Sequence, residues 1–174
     1  IYTLSLHDAL PISIYINYIG KHESIAQFPG MKERAIIVNG VSKAYAMTGW
    51  RIGYIAAPEW IVKGCNKLQG QYTSGPCSVS QKAAEFAYVA DQQCVEDMRQ
   101  AFERRRNLIV KLAKDIPGLE VNVPEGAFYL FPKCSSFFGK SDGETTINNS
   151  TDFAMYLLEK GHVATVGGDA FGDP

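Results

Sequence analysis

Hydrophobic positions along this chain keep two rhythms, and the switches between them predict a mixed α/β molecule. Ala35-Ile36-Ile37-Val38 is a short unbroken apolar run, preceded by charges and closed by Asn39-Gly40. Such a run suits a buried strand of a parallel sheet. A second apolar run over 52–57 ends at Pro58, where a helix over 58–68 is expected, with the proline in its first turn. Trp60, Ile61 and Leu68 would mark its packed side. Thr73-Ser74-Gly75-Pro76 breaks the rhythm and leads into a helix over about 78–88. The longest helical pattern covers 92–114. Val95, Met98, Phe102, Leu108, Ile109 and Leu112 recur there at three- and four-residue steps, with Arg104-Arg105-Arg106 on the solvent side.

Pro117-Gly118 ends that helix and the texture changes. Residues 119–123 alternate as a half-buried strand, and 127–131 read as a partner strand across Pro124-Glu125-Gly126. A loop over 135–150 follows, then a short helix over 151–160, capped by Ser150 or Thr151 and stopped at Gly161. Residues 162–166 read as a last strand. Strands of a parallel sheet with helices come first and a smaller α+β unit second, so the long helix is the natural bridge between two domains.

Composition narrows the function classes. Of 174 residues 46 % are hydrophobic, enough for a core, and a formal charge of −1 gives no reason to invoke nucleic acid or an anionic membrane. No apolar run is long enough to span a bilayer. Cys65, Cys77, Cys94 and Cys134 are scattered without a Cys-x-x-Cys pair or a histidine cluster, so no metal site is expected. They read as reduced thiols of a cytoplasmic protein, mostly small core residues. His22 and His162 stand alone and are read as structural or solvated.

The chemistry concentrates in Asn39-Gly40-Val41-Ser42-Lys43-Ala44-Tyr45-Ala46-Met47-Thr48-Gly49-Trp50-Arg51-Ile52-Gly53-Tyr54. Lys43 is the lone charge before Arg51, and an amine among Val41, Ala44, Tyr45, Ala46 and Met47 loses hydration, which favours its neutral, nucleophilic form. Arg51 offers a planar fork suited to a phosphate, with Gly49 and Gly53 allowing tight turns and close approach. An amine for an aldehyde and a fork for a phosphate describe a site for pyridoxal phosphate. Taken by their spacing alone, Lys43 and Arg51 read as an ordinary pair of solvated surface charges.

The whole string weighs against that alternative. Ser42-Lys43, Gly49-Trp50-Arg51 and Gly53-Tyr54 in this spacing resemble the lysine signature of class I/II aminotransferases, the pyridoxal-phosphate enzymes of fold type I, and the wording is closest to the bacterial aspartate aminotransferase branch. The resemblance extends from Ile16 to Pro174. Gly126-Ala127-Phe128-Tyr129 resembles the motif that opens the family's small domain, and Thr73-Ser74-x-Pro76 with Gln81, Ala83 and Ala84 is similar to a segment that approaches the partner subunit's cofactor across a dimer interface.

The resemblance implies that 14–92 is the C-terminal part of a cofactor-binding large domain and 93–174 a truncated small domain. Residues 1–13 are set apart, since 2–12 resemble a translated sequencing adapter. It implies that Lys43 forms a Schiff base with pyridoxal 5′-phosphate and later shuttles a proton, while Arg51 neutralises the phosphate. Gly40 stands where many relatives carry a phosphate-binding hydroxyl. The family's Asp that protonates the pyridine nitrogen has no counterpart here; Tyr15 lies near the place of its ring-hydroxyl tyrosine, but its spacing to Lys43 is short and it reads rather as an ordinary strand residue. The parent protein is then expected to be a cytoplasmic homodimer that transfers an amino group between an aspartate-like amino acid and a 2-oxo acid, and the chain alone an inactive fragment. Alternative readings are another fold type I enzyme such as a β-lyase, a regulator's aminotransferase-like sensor domain, or a broken gene product without a role.

Overall fold

A computed structural model describes residues 17–20 and 22–172. Tyr15 and the adapter-like stretch lie outside the described residues. Strand β1 (Ile37–Gly40) pairs with strand β2 (Gly53–Ala56) from Ile37 opposite Ala56 to Gly40 opposite Gly53. The strand starts later than the apolar run because the Ala35 amide is already spent on the Met31 carbonyl, 2.7 Å away. The pairing is antiparallel, which corrects the parallel reading. A parallel pair needs a crossover element such as a helix. Residues 41–52 hold only turns and a 3-10 turn over Thr48–Trp50, and they fold the chain straight back.

Three helices follow: α1 (Glu59–Tyr72), α2 (Ser78–Val89) and α3 (Gln93–Lys114). Pro58 caps α1, where its missing N–H costs nothing. The expected packed side of α1 is corrected: Trp60 is 75 % exposed and Leu68 62 %, with only Ile61 half-buried. No described element covers that face. A core cluster lies instead under the turn between the strands. Val41 is fully buried against Ile52 and Ala84 of α2, with Tyr45 and Met47 packed beside them.

Along α3 the inward stripe departs from the apolar pattern. Val95, Met98 and Phe102 are half-buried, Val110 and Ala113 are buried, and Leu108, Ile109 and Leu112 are exposed. Steps of four from Phe102 to Val110 pass through Arg106, so that arginine belongs to the inner stripe rather than to a wet triplet. Its guanidinium donates from Nη1 to the Pro124 carbonyl at 2.6 Å. Arg99 sits on the same side and forks onto Glu96 at 2.8 and 2.9 Å and onto Glu103 at 2.9 Å.

Hydrogen bonds from Arg99, and then from Gln100, hold the Glu96 carboxyl down to about 2. A carboxyl depressed in the folded state adds stability above its ordinary value near 4.3, and that contribution fades as pH falls toward about 2. An NMR carboxyl titration is expected to place Glu96 well below the other glutamates, and Arg99→Met to return it to the ordinary range. A Glu96 that titrates with the rest would show the fork is open in solution.

The last helix, α4 (Ser150–Gly161), is capped by Asn149 and not by Ser150 or Thr151; the Asn149 carboxamide accepts from the Asp152 amide at 2.8 Å. Its end is turned by His162 in the left-handed region, φ 56°, which removes that residue from the expected last strand. Residues 162–166 form no strand, and 119–123 and 127–131 form no ladder. A single bridge joins Glu120 to Lys133. Pro124 and Pro132 lack the N–H a ladder needs, and Ala127 at φ 57° leaves the extended region.

None of the four thiols is a core residue: Cys65 and Cys134 are half-buried, Cys77 and Cys94 exposed, and all four are free. Among the described residues no helix is long and apolar enough to cross a membrane. The chain divides into two compact units, one running to Arg105 and including Glu125–Phe128, the other made of Arg106–Pro124 and Tyr129–Pro174. The boundary falls inside α3.

Candidate functional site

The turn that carries Lys43 is anchored by its apolar residues. Val41 and Ala44 are buried, which leaves Ser42 and Lys43 between them half-buried at the rim of the core. The Tyr45 amide donates to the Val41 carbonyl at 3.3 Å and the Ala46 amide to the Lys43 carbonyl at 3.2 Å. Ile52 then returns the chain to the core.

Two residues of this excursion, Ala46 and Arg51, hold φ near 53°, in the left-handed region. For a residue with a side chain that costs about 1–2 kcal/mol. The expectation that the glycines make the tight turns is therefore corrected. Gly49 has open space around it, Gly53 lies in β2, and the reversals fall on Ala46 and Arg51 instead. Gly40 does have a steric reason: a Cβ there would lie 3.0 Å from the Ile52 carbonyl oxygen across the strand pair. A side chain at this position would require the facing strand to give by a few tenths of an ångström.

Lys43 Nζ lies 6.0 Å from the centre of the Phe128 ring. Phe128 reaches it from the Gly-Ala-Phe-Tyr motif, whose backbone is held by the chain's early segment. The Tyr18 hydroxyl donates to the Ala127 carbonyl at 2.6 Å, the Tyr18 amide to the Glu125 carbonyl at 2.9 Å, and Asn17 bridges Gly126. The Phe128 ring stacks on Phe102 with centroids 5.4 Å apart. On the other side of the turn, Tyr45 and Tyr54 each meet Tyr88 edge-on at 5.4 and 5.5 Å, and the Tyr45 hydroxyl donates to Gln92 Oε1 at 2.8 Å.

Arg51 is exposed and donates from Nη1 to the Thr48 carbonyl at 2.8 Å, a bond that closes its own turn. Among the described residues no carboxylate pairs with Lys43 or with Arg51. Among the described residues the donor set is thus a half-buried amine with no acid partner and an arginine fork whose remaining N–H groups face no acid. These groups fit an aldehyde and an anion. Tyr45 was expected near the lysine; Phe128 and Tyr88 were not. Tyr45 and Tyr54 lie within the lysine string itself, whereas nothing in the periodicity links residues as distant in sequence as 43 and 128.

Between α1 and α2, Ser74 (φ 63°) and Gly75 make the turn, and Gln81 Nε2 donates back to the Pro76 carbonyl at 2.9 Å. Thr73 ends α1, and Cys77, not a hydroxyl residue, stands at the start of α2. Backbone N–H groups of Ser80 and Val79 stabilise its thiolate and lower the Cys77 thiol below the ordinary range, whereas burial raises Cys134. Limited iodoacetamide treatment followed by peptide mass analysis is expected to find Cys77 alkylated before Cys134. The reverse order would rule out the thiolate.

Residues 13–173 match the family model of aminotransferase class I and II. The chain is 50 % identical over 156 residues to a bifunctional aspartate aminotransferase and glutamate/aspartate-prephenate aminotransferase of Petunia hybrida, covering 87 % of this chain and 33 % of that protein. It is 48 % identical over 145 residues to an aspartate aminotransferase of Rhizobium meliloti (strain 1021), covering 83 % and 35 %. Among solved structures, the aspartate aminotransferase from Rhizobium meliloti superposes with a TM-score of 0.88 at 45 % identity, covering 94 % of this chain and 42 % of that one. An aromatic aminotransferase from Pyrococcus horikoshii OT3 does so with a TM-score of 0.83 at 38 % identity, covering 93 % and 42 %. The chain spans about a third of the length of these curated relatives.

Proposed function

We propose, from the premise that this chain belongs to the class I and II aminotransferases and carries part of their fold, that its full-length protein transfers an amino group between an aspartate-like amino acid and a 2-oxo acid, with pyridoxal phosphate held at Lys43. The observation that carries this reading is the half-buried Lys43 amine, without an acid partner among the described residues, on a turn built over the core, with Arg51 on the same turn. The aspartate preference rests on the names of the relatives, several of which are aspartate aminotransferases.

Lys43 would hold the cofactor through Nζ. Arg51 would bind its phosphate with the N–H groups not spent on Thr48. Bound there, pyridoxal phosphate supplies the electron sink that lets a bond at the substrate's Cα be broken. Once released, the Lys43 amine is the group that moves the proton, first as base and then as acid. Gly40 leaves no side chain at a place where a phosphate-binding hydroxyl would stand, so backbone N–H groups of the turn would have to take that part. We further propose that 14–92 belongs to the large domain and 93–174 to the small one, and that the full-length enzyme is a cytoplasmic homodimer.

The test is covalent capture. Full-length protein incubated with pyridoxal phosphate and reduced with borohydride is expected to carry the label on the peptide containing Lys43. Labelling confined to other lysines would overturn the assignment.

A further inference from the structure

We propose that Phe128 is a positioning residue for Lys43: its ring forms the wall against which the lysine side chain rests whenever its amine is released. The inference rests on the role given to Lys43 above. Four observations carry it. The Phe128 ring centre is 6.0 Å from Nζ, at the outer limit of ammonium–ring attraction, so the ring acts as a surface for a mobile chain end more than as a fixed partner. The ring's plane is set by its stack on Phe102.

The backbone that presents Phe128 is held where it would not rest unaided. Ala127 adopts φ 57°, a conformation unfavourable for alanine, while the Tyr18 hydroxyl grips its carbonyl and Asn17 bridges Gly126. Finally, Phe128 remains 39 % exposed. An aromatic ring anchored from two directions yet open to solvent adds little to a core; what it offers is a fixed apolar face beside a functional amine.

A lysine side chain free in solution spreads over many rotamers, and each one away from the reacting carbon is unproductive. A wall on one side removes a share of them. The effect falls on the step in which the amine acts and leaves substrate affinity alone, since the ring confines the lysine and not the substrate.

The experiment uses full-length protein with Phe128→Leu and Phe128→Tyr. It reads the rate at which Lys43 captures pyridoxal phosphate, by borohydride trapping and peptide mass, and separately kcat and KM for transamination. Phe128→Leu is expected to slow capture and lower kcat by about five- to tenfold with KM within about twofold, and Phe128→Tyr, which keeps the ring, to restore both. Capture and kcat at wild-type rates in Phe128→Leu would overturn the proposal while leaving the function of Lys43 standing. No capture at Lys43 in the wild type would instead overturn the functional reading, and this inference with it. Should Phe128→Leu melt early, Phe102→Leu decides the question. It frees the Phe128 ring without removing it, and unchanged capture there would equally sink the proposal.

Discussion

Lys43→Ala in the full-length protein is expected to abolish covalent capture of pyridoxal phosphate and to lower transamination on the order of ten-thousand-fold or more. Both roles of the residue end together, because alanine supplies neither a nucleophile for the cofactor nor an acid–base group for the proton. The fold should survive. Lys43 lies at the rim of the core, half-buried and without a carboxylate partner among the described residues, so its removal leaves no buried charge unpaired. Its neighbours Val41 and Ala44 carry the packing. Thermal melting unchanged from wild type, together with lost capture, is the expected pair of results; turnover preserved in Lys43→Ala would sink the mechanism. Lys43→Arg is a useful companion. It keeps the positive charge but offers a guanidinium that stays protonated, so it is expected to fail as completely as alanine.

The elements whose pattern is local were legible in the sequence. α1, α2 and α3 fall close to where periodicity and Pro58 put them, because helical pairing depends on residues a turn away. Which face of each helix is covered was not legible. Trp60 and Leu68 read as packed because they are large and apolar, but burial needs a neighbouring element, and none of those described lies over them. The reverse error occurs on α3. Arg106 read as solvent-facing with the rest of its triplet, yet its Nη1 donates to a carbonyl and it shares the inward stripe with Arg99, whose fork meets two carboxylates.

Strands suffered most, since a ladder is a contract between distant segments. Residues 119–123 have the right alternation, but their would-be partner is interrupted by the left-handed Ala127 and by Pro132, and one bridge is all that forms. For the site, the lysine string was readable as a unit because turn, amine and arginine are contiguous. The Phe128 wall was not, since it is delivered by chain topology and by the grip of Tyr18 on Ala127.

Arg51 also separates function from stability. It occupies a left-handed conformation that glycine adopts freely, and its visible structural return is a single bond from Nη1 to the Thr48 carbonyl. Arg51→Gly relieves the backbone, loses that bond and gains unfolded-state freedom. These changes offset one another, and melting is expected to shift by no more than about 1 kcal/mol equivalent in either direction. The cofactor responds differently. Without the fork the phosphate loses its charge-assisted bonds, and retention of pyridoxal phosphate is expected to weaken roughly tenfold to hundredfold in Arg51→Gly and in Arg51→Gln alike. Arg51→Lys should fall between, since a point charge replaces the two-pronged contact. Equilibrium dialysis of the cofactor beside a melting curve reads both quantities on the same variants. A cofactor affinity untouched by Arg51→Gln would remove the arginine from the phosphate site. A large loss of melting temperature in Arg51→Gly would mean that the arginine side chain, through its bond to Thr48, serves the fold as well as the ligand.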